Sequence, residues 1–244
     1  MIDFEVSDGV AFITLNAPAT RNALNNELAD QIVAACDAAD RDPAVGAVVI
    51  AGAGGTFCSG AERGHLADVG HDPAEERRYA SLSGIYRAFT RVGQLEVPVI
   101  AAVCGAAVGA GINLMLAADL RIVAEDARLI SGFLRIGLHP GGGHFGLLAG
   151  RAGPETAAAA GLFGEEISGL RAVQLGLAWE ALPAGQVTER AAELARRPAR
   201  DPALARKATA SLRTELGPPR LPWAAAVEVE RGAQLWSLRR RADS

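Results

Sequence analysis

Lysine is almost missing from this chain. Its 24 cationic side chains include one lysine, Lys207, so any phosphate contact has to use arginine or backbone N–H groups. A formal net charge of −4 excludes the basic footprint expected of a nucleic-acid or anionic-membrane binder. Cysteine is scarce too. Cys36, Cys58 and Cys104 have no metal-ligand spacing, and an odd count without a secretory leader points to a reducing cytoplasm. Cys36 on an apolar helical stripe and Cys104 at the end of a buried strand read as small core hydrophobes. No apolar run approaches the length of a membrane span. Several catalytic signatures are absent. There is no G-x-x-x-x-G-K-[ST] motif, Ser59 lacks a G-x-S-x-G elbow, and no metal-ligand cluster is visible. Phe57 stands where a dinucleotide fingerprint after Gly52 would need its third glycine.

What is present is enough for a large core. The chain has 244 residues, of which 50% are hydrophobic and 21% charged, which fits one large domain or a domain with a helical appendage. Residues 3–15 alternate as two short strands around Asp8-Gly9, a hairpin signal. Asn25 is placed to cap a helix whose apolar face is Leu28, Ile32, Cys36 and Ala39. A second helix over 74–95 shows Tyr79, Leu82, Tyr86, Phe89 and Val92 on one face. Strands near 47–51, 99–103 and 120–124 alternate with these helices, the order of an α/β fold with a parallel sheet and helical crossovers. From Pro154 the pattern is almost wholly helical, roughly 154–161, 168–175, 184–197, 201–215 and 222–241. The polar segment from Arg63 to Glu76, with Gly64, Gly70 and Pro73, reads as a mobile loop.

Two small-residue loops stand out. Phe57-Cys58-Ser59-Gly60-Ala61-Glu62 follows the apolar strand Ala47 to Ile50. Gly105-Ala106-Ala107-Val108-Gly109-Ala110-Gly111 follows Val99 to Val103 and leads into a helical run. Small side chains let a ligand approach the backbone, and a helix start offers unpaired N–H groups at a positive dipole end. Two such donors aimed at one oxygen make an oxyanion hole.

With their flanks, these loops resemble the enoyl-CoA hydratase/isomerase (crotonase) superfamily. The likeness runs from about Val10 to about Leu182 in six ordered blocks: Ile13 to Pro18, Arg21 to Asn25, Gly52 to Glu62, Val97 to Val103, Ala118 to Ile122, and Gly137 to Gly142. The resemblance implies a spiral of ββα units over 1–182 that holds an acyl-CoA pocket. It also implies a C-terminal helical region over 183–244, shorter than usual for the family, that drives assembly into a homotrimer or a dimer of trimers. Coenzyme A enters as part of the substrate, with no permanently bound cofactor and no metal. The implied location is cytoplasmic, with neither nucleic acid nor membrane as partner.

By the same resemblance, the backbone N–H groups of Ala61 and Ala110 are the oxyanion donors. Arg21, Ala23, Leu24, Ser59, Ala61, Glu62 and Arg63 border the CoA moiety, with Glu62 expected to fix its loop. The two hydratase glutamates of the family fall on Asn113 and Phe133. Hydration needs a base for water and an acid for the α-carbon. An amide and a phenyl ring supply neither. The acidic residue that other members carry just after the His139-Pro140 equivalents is Gly141 here. The remaining acid/base candidates are His139 and His144, and Asn113 could hold a water or a substrate hydroxyl through its amide. His65 and His71 are expected to be solvated. Two functions stay open: a thioester-enolate enzyme with non-standard acid/base groups, or a non-catalytic acyl-CoA carrier or sensor.

Overall fold

In the computed structural model, which describes residues 1–72, 75–217, 225 and 231, the chain opens with the predicted hairpin. β1 (Ile2–Ser7) and β2 (Val10–Leu15) pair antiparallel around Asp8 and Gly9, both at positive φ. The elements then follow as α1 (Asn26–Arg41), β3 (Ala47–Gly52), α2 (Arg63–His71), α3 (Glu76–Gly93), β4 (Val99–Val103), β5 (Ala106–Val108), α4 (Ala110–Ala117), β6 (Leu120–Ala124) and β7 (Arg128–Ile130). After them come α5 (His144–Gly161), β8 (Ile167–Ser168), α6 (Gly169–Leu175), β9 (Glu180–Leu182), α7 (Ala184–Ala199) and α8 (Pro202–Leu216).

A six-stranded sheet runs β1-β2-β3-β4-β6-β9, parallel from β2 onward. Continuous apolar runs such as Val99–Val103, buried at every position, suit strands covered on both faces. A smaller sheet, β5-β7-β8, lies beside it. Each turn of the chain places one strand in the large sheet, steps into the small one, and returns through a helix. β4–β5–α4 and β6–β7–α5 are two such turns. The preceding turns make the same step with single residues: Cys58 bridges Ala107, and Leu24 bridges Ala61. This is the ββα spiral expected from the resemblance.

Local signals that were strong in sequence set the local structure. The Asn25 side chain accepts from the N–H of Leu28, and Leu28, Ile32, Cys36 and Ala39 are buried. Within α5, Gly153 at φ +82° and Pro154 break the helix, so its second segment begins at the predicted proline. Two expectations change. The segment from Arg63 forms α2 rather than a loop through His71. In α3 the buried face is Ile85, Ala88, Phe89 and Val92, while Tyr79 is 67% exposed. The phenol oxygen makes tyrosine tolerant of the wet side of a helix. The C-terminal helices begin with α7, which lies across β2, β3, β4 and β6 and adds Val187, Ala191 and Ala195 to the sheet's core. The predicted helix over 222–241 lies outside the described residues.

Candidate functional site

Asn22 organises the first loop. It is fully buried, holds a left-handed backbone at φ +56°, and its amide oxygen accepts from the Ala17 N–H at 2.8 Å. Its amide nitrogen donates to the carbonyls of Ala53 and Thr56 at 2.9 and 2.7 Å. This one side chain ties the Arg21–Asn25 segment to the chain leaving β3. The Leu24 N–H donates to the Gly60 carbonyl at 2.7 Å, and the Glu62 N–H donates to the Leu24 carbonyl at 2.8 Å. In a parallel bridge of this kind, the residue between the two bonded groups turns its own N–H the other way. That residue is Ala61.

The second loop lies on that other side. The Cys58 N–H donates to the Ala106 carbonyl and the Val108 N–H donates to Cys58, at 3.1 and 2.9 Å. Gly60 adopts φ +91°, and a Cβ there would come within 2.7 Å of the Val108 carbonyl oxygen and 3.7 Å of the Ala110 nitrogen. Only glycine allows this approach. Ala110 is the first residue of α4, so its N–H has no partner within the helix. Neither the Ala61 N–H nor the Ala110 N–H has an acceptor among the described residues. Two unpaired donors therefore flank one small region, one of them at a helix N-terminus.

Asn113 stands one turn into α4, 0% exposed, and both halves of its amide are engaged. Its nitrogen donates to the Gly141 carbonyl at 3.0 Å, and its oxygen faces His144 Nδ1 at 2.7 Å. One N–H and one lone pair of that amide are thus committed to protein partners. His144 opens α5 and is 1% exposed, and its Nε2 meets the Ser131 hydroxyl. These contacts fix the tautomer. The Gly141 carbonyl can only accept, so the Asn113 NH2 must face it and the amide oxygen must face His144. Nδ1 then carries the proton, and the bare Nε2 accepts from Ser131 O–H. Phe133 packs edge-on to the imidazole, with ring centroids 4.9 Å apart. Burial among such neighbours pushes the His144 pKa down to about 4, so the ring is neutral at pH 7.

His139 is placed differently. It is exposed, and its Nδ1 lies 2.6 Å from the carbonyl oxygen of adjacent Pro140. The structure brings His144 to Asn113 and leaves His139 outside that cluster. Around the first loop, Glu62 accepts from the Asn25 amide at 3.0 Å, the loop-fixing contact expected of it. The Ser59 hydroxyl donates to the Thr20 carbonyl at 3.2 Å. Arg21 and Arg63 are exposed, and Ala23 lies half-buried between Asn22 and Leu24. Leu24 departs from its expected ligand-facing place: its side chain is in the core and both its backbone groups are bonded within the loop. His65, expected to be solvated, is half-buried with an Nε2 that reaches neither solvent nor a partner among the described residues, while the side chain of His71 lies outside those described. Burial raises the Cys58 thiol to about 12, which makes it a packing group.

Ser131 escaped the sequence reading. It stands alone between Ile130 and Gly132, with no flanking motif, and only the meeting of β7, α4 and α5 gives it partners. Among the described residues no group of His, Cys, Asp or Glu could hold a metal ion, and no helix is long and apolar enough to cross a membrane.

Comparison with known proteins agrees with this fold. The family model for enoyl-CoA hydratase/isomerase matches residues 5–235. The probable enoyl-CoA hydratase EchA14 of Mycobacterium tuberculosis is 45% identical over 207 residues, covering 84% of this chain and 78% of the relative. The 1,2-epoxyphenylacetyl-CoA isomerase of Escherichia coli is 32% identical over 201 residues, covering 81% and 75%. The crystal structure of an enoyl-CoA hydratase from Polaromonas sp. JS666 superposes with a TM-score of 0.88 at 28% identity, covering 97% of this chain and 91% of that one.

Proposed function

The chain belongs to the enoyl-CoA hydratase/isomerase family, and from that premise we propose that it binds an acyl-CoA thioester and stabilises negative charge on the thioester oxygen between the N–H groups of Ala61 and Ala110. The observation that carries this reading is the pair of unpaired donors flanking one region at the start of α4. When an enolate or a tetrahedral adduct forms, the carbonyl oxygen gains charge. Fixed donors then stabilise it by about 3 kcal/mol each without having to reorganise. The α4 dipole adds to the same end.

Ordinary hydration does not follow. Its two carboxylate positions hold Asn113, an amide bonded to Gly141 and His144 with no useful proton affinity, and Phe133, whose ring packs on His144. Isomerisation, decarboxylation, hydrolysis and C–C cleavage all remain compatible with an oxyanion site. Coenzyme A is held as part of the substrate, with Arg21 the leading phosphate contact. We place the protein in the cytoplasm as a homotrimer or a dimer of trimers. The exposed Leu134, Ile136 and Leu138 lend support as apolar surface for a partner subunit to cover.

The second reading, a carrier that binds acyl-CoA without turnover, is favoured by the engagement of both His144 nitrogens in protein contacts. Calorimetry with matched acyl-CoA and free-acid ligands tests the shared premise. Clear preference for the thioester is expected, and equal or absent binding of both ligands overturns it. Turnover of any bound thioester then separates enzyme from carrier.

A further inference from the structure

We propose that Ser131, His144 and Asn113 form a nucleophile–base–orienter relay that hydrolyses the bound thioester through an acyl-Ser131 intermediate. The inference rests on the acyl-CoA reading and extends it to a named reaction. Each link is a contact already described: Ser131 Oγ to His144 Nε2, His144 Nδ1 to Asn113 Oδ1 at 2.7 Å, and Asn113 Nδ2 to the Gly141 carbonyl at 3.0 Å. Nucleophile and base are recognised by this mutual geometry, whatever the sequence order.

The last contact is what makes an asparagine adequate. In a serine relay an amide in the orienting position fails when it presents its NH2 to the histidine and forces the wrong tautomer. Here the Gly141 carbonyl takes the NH2, which leaves the oxygen for Nδ1–H. His144 then presents a bare Nε2 to the Ser131 hydroxyl, as a general base must.

The Ser131 backbone also lies beside the segment that carries the Ala110 donor. The Gly109 N–H bonds the Ile130 carbonyl at 2.9 Å, and a Cβ on Gly109 would stand 3.5 Å from the Ser131 carbonyl oxygen. Ser131 is thus the neighbour of the residue that precedes the Ala110 donor, and Asn113 stands one turn beyond that donor on α4. Gly132 next to Ser131 adds no side chain. The nucleophile is 3% exposed and its base 1%, so the relay is largely shielded from bulk water.

The chemistry balances with water as the only co-reactant. Ser131 Oγ bonds to the thioester carbon while its proton passes to His144 Nε2. The carbonyl electron pair moves to the oxygen held by Ala61 and Ala110. On collapse the C–S bond breaks, and the coenzyme A sulfur leaves with the proton from Nε2. Water repeats the sequence on the acyl-serine. It gives its proton to Nε2, attacks the ester carbon, and releases the free acid while Ser131 Oγ recovers the proton.

The test uses the full chain and two independent readouts. The first is hydrolysis of butyryl-, octanoyl- and phenylacetyl-CoA, followed by separating free coenzyme A from thioester. The second is labelling by a small alkyl fluorophosphonate, read by peptide mass spectrometry. Such a probe needs an activated serine but no acyl-CoA pocket. Expected are hydrolysis of at least one thioester and phosphonylation of Ser131, both reduced by about 10³-fold or more in Ser131→Ala and His144→Gln, with calorimetric acyl-CoA binding retained. Ser131→Cys keeps the nucleophile's place should the alanine variant misfold, and it should accumulate an acyl-cysteine. Thioester binding without hydrolysis or Ser131 labelling overturns the relay and leaves the acyl-CoA reading standing. Ser131 labelling in a protein that binds no acyl-CoA supports the activated serine but overturns the thioester as its substrate. Hydrolysis that survives unchanged in folded Ser131→Ala also overturns the proposal.

Discussion

Acidification should destabilise this protein through His144. His144 is 1% exposed, and its partners among the described residues are uncharged: the Asn113 amide, the Ser131 hydroxyl and the rings of Phe133 and Phe145. Burial alone holds its pKa at about 4 in the folded chain, against 6.5 ordinarily. Between these values the unfolded chain carries a proton that the folded chain refuses. Stability therefore rises with pH through this window, is fully present above about 6.5, and is lost as pH falls toward 4. At 1.36 kcal/mol per pH unit the loss is about 3 kcal/mol, a large share of a typical domain's stability. The measurement is urea unfolding at fixed protein concentration, from about pH 7.5 down to about pH 4.5, for the unmodified chain and for His144→Gln. Carboxylates titrate alike in both, so the difference isolates His144. The unmodified chain should lose its advantage as pH falls. A difference that stays constant across the range would show that His144 is not buried neutral, and would remove the tautomer argument with it.

Other outcomes follow from the same site. Crotonyl-CoA hydration should be very weak or absent, since each missing acid/base role is worth about 10²–10⁴-fold; turnover typical of a competent hydratase would contradict the reading of Asn113 and Phe133. In Ala110→Pro the α4 donor is deleted at a helix position that tolerates proline, so any thioester turnover should fall by about 10²–10³-fold in a protein that still folds. Unchanged activity there would place the donor elsewhere. Light scattering at micromolar concentration should show a trimer or a dimer of trimers, and a purely monomeric mass would contradict the assembly.

What the sequence disclosed depended on how far apart the cooperating residues lie. The Asn25 cap and the α1 face are local, three to four residues apart, and both were legible. The two small-residue loops were legible because a buried apolar strand followed by small residues is a continuous pattern, seen at Gly60-Ala61 and again at Gly109-Ala110. The α2 segment was misread because its glycines and polar residues mask a helix that has little apolar stripe of its own. The α3 face was misphased by counting Tyr79 as core, although it is 67% exposed. The contacts of Ser131 and Asn113 with His144 span 13 and 31 residues and join three different elements. No periodicity encodes such a meeting, so an isolated serine carried no signal until the fold placed it.

If Asn113 and Phe133 stand at the two carboxylate positions, as proposed, the two replacements make physical sense as one change. Two buried carboxylates near a thioester would each need compensation for lost hydration, and their charge would be present in the resting site. Asn113, Phe133, Ser131 and His144 are all neutral at pH 7, so this cluster has no charge to compensate. In the proposed reaction, charge arises only during turnover, as an oxyanion at Ala61 and Ala110 and an imidazolium at His144. The first is met by two N–H donors and the positive end of α4. The second is met by the Asn113 oxygen, an acceptor oriented by the Gly141 carbonyl. A neutral acceptor stabilises an imidazolium less than a carboxylate would, and burial lowers the His144 pKa besides. The design thus trades base strength for a dry, uncharged ground state. Its differential stabilisation falls mainly on the oxyanion, where pre-set donors act without reorganisation.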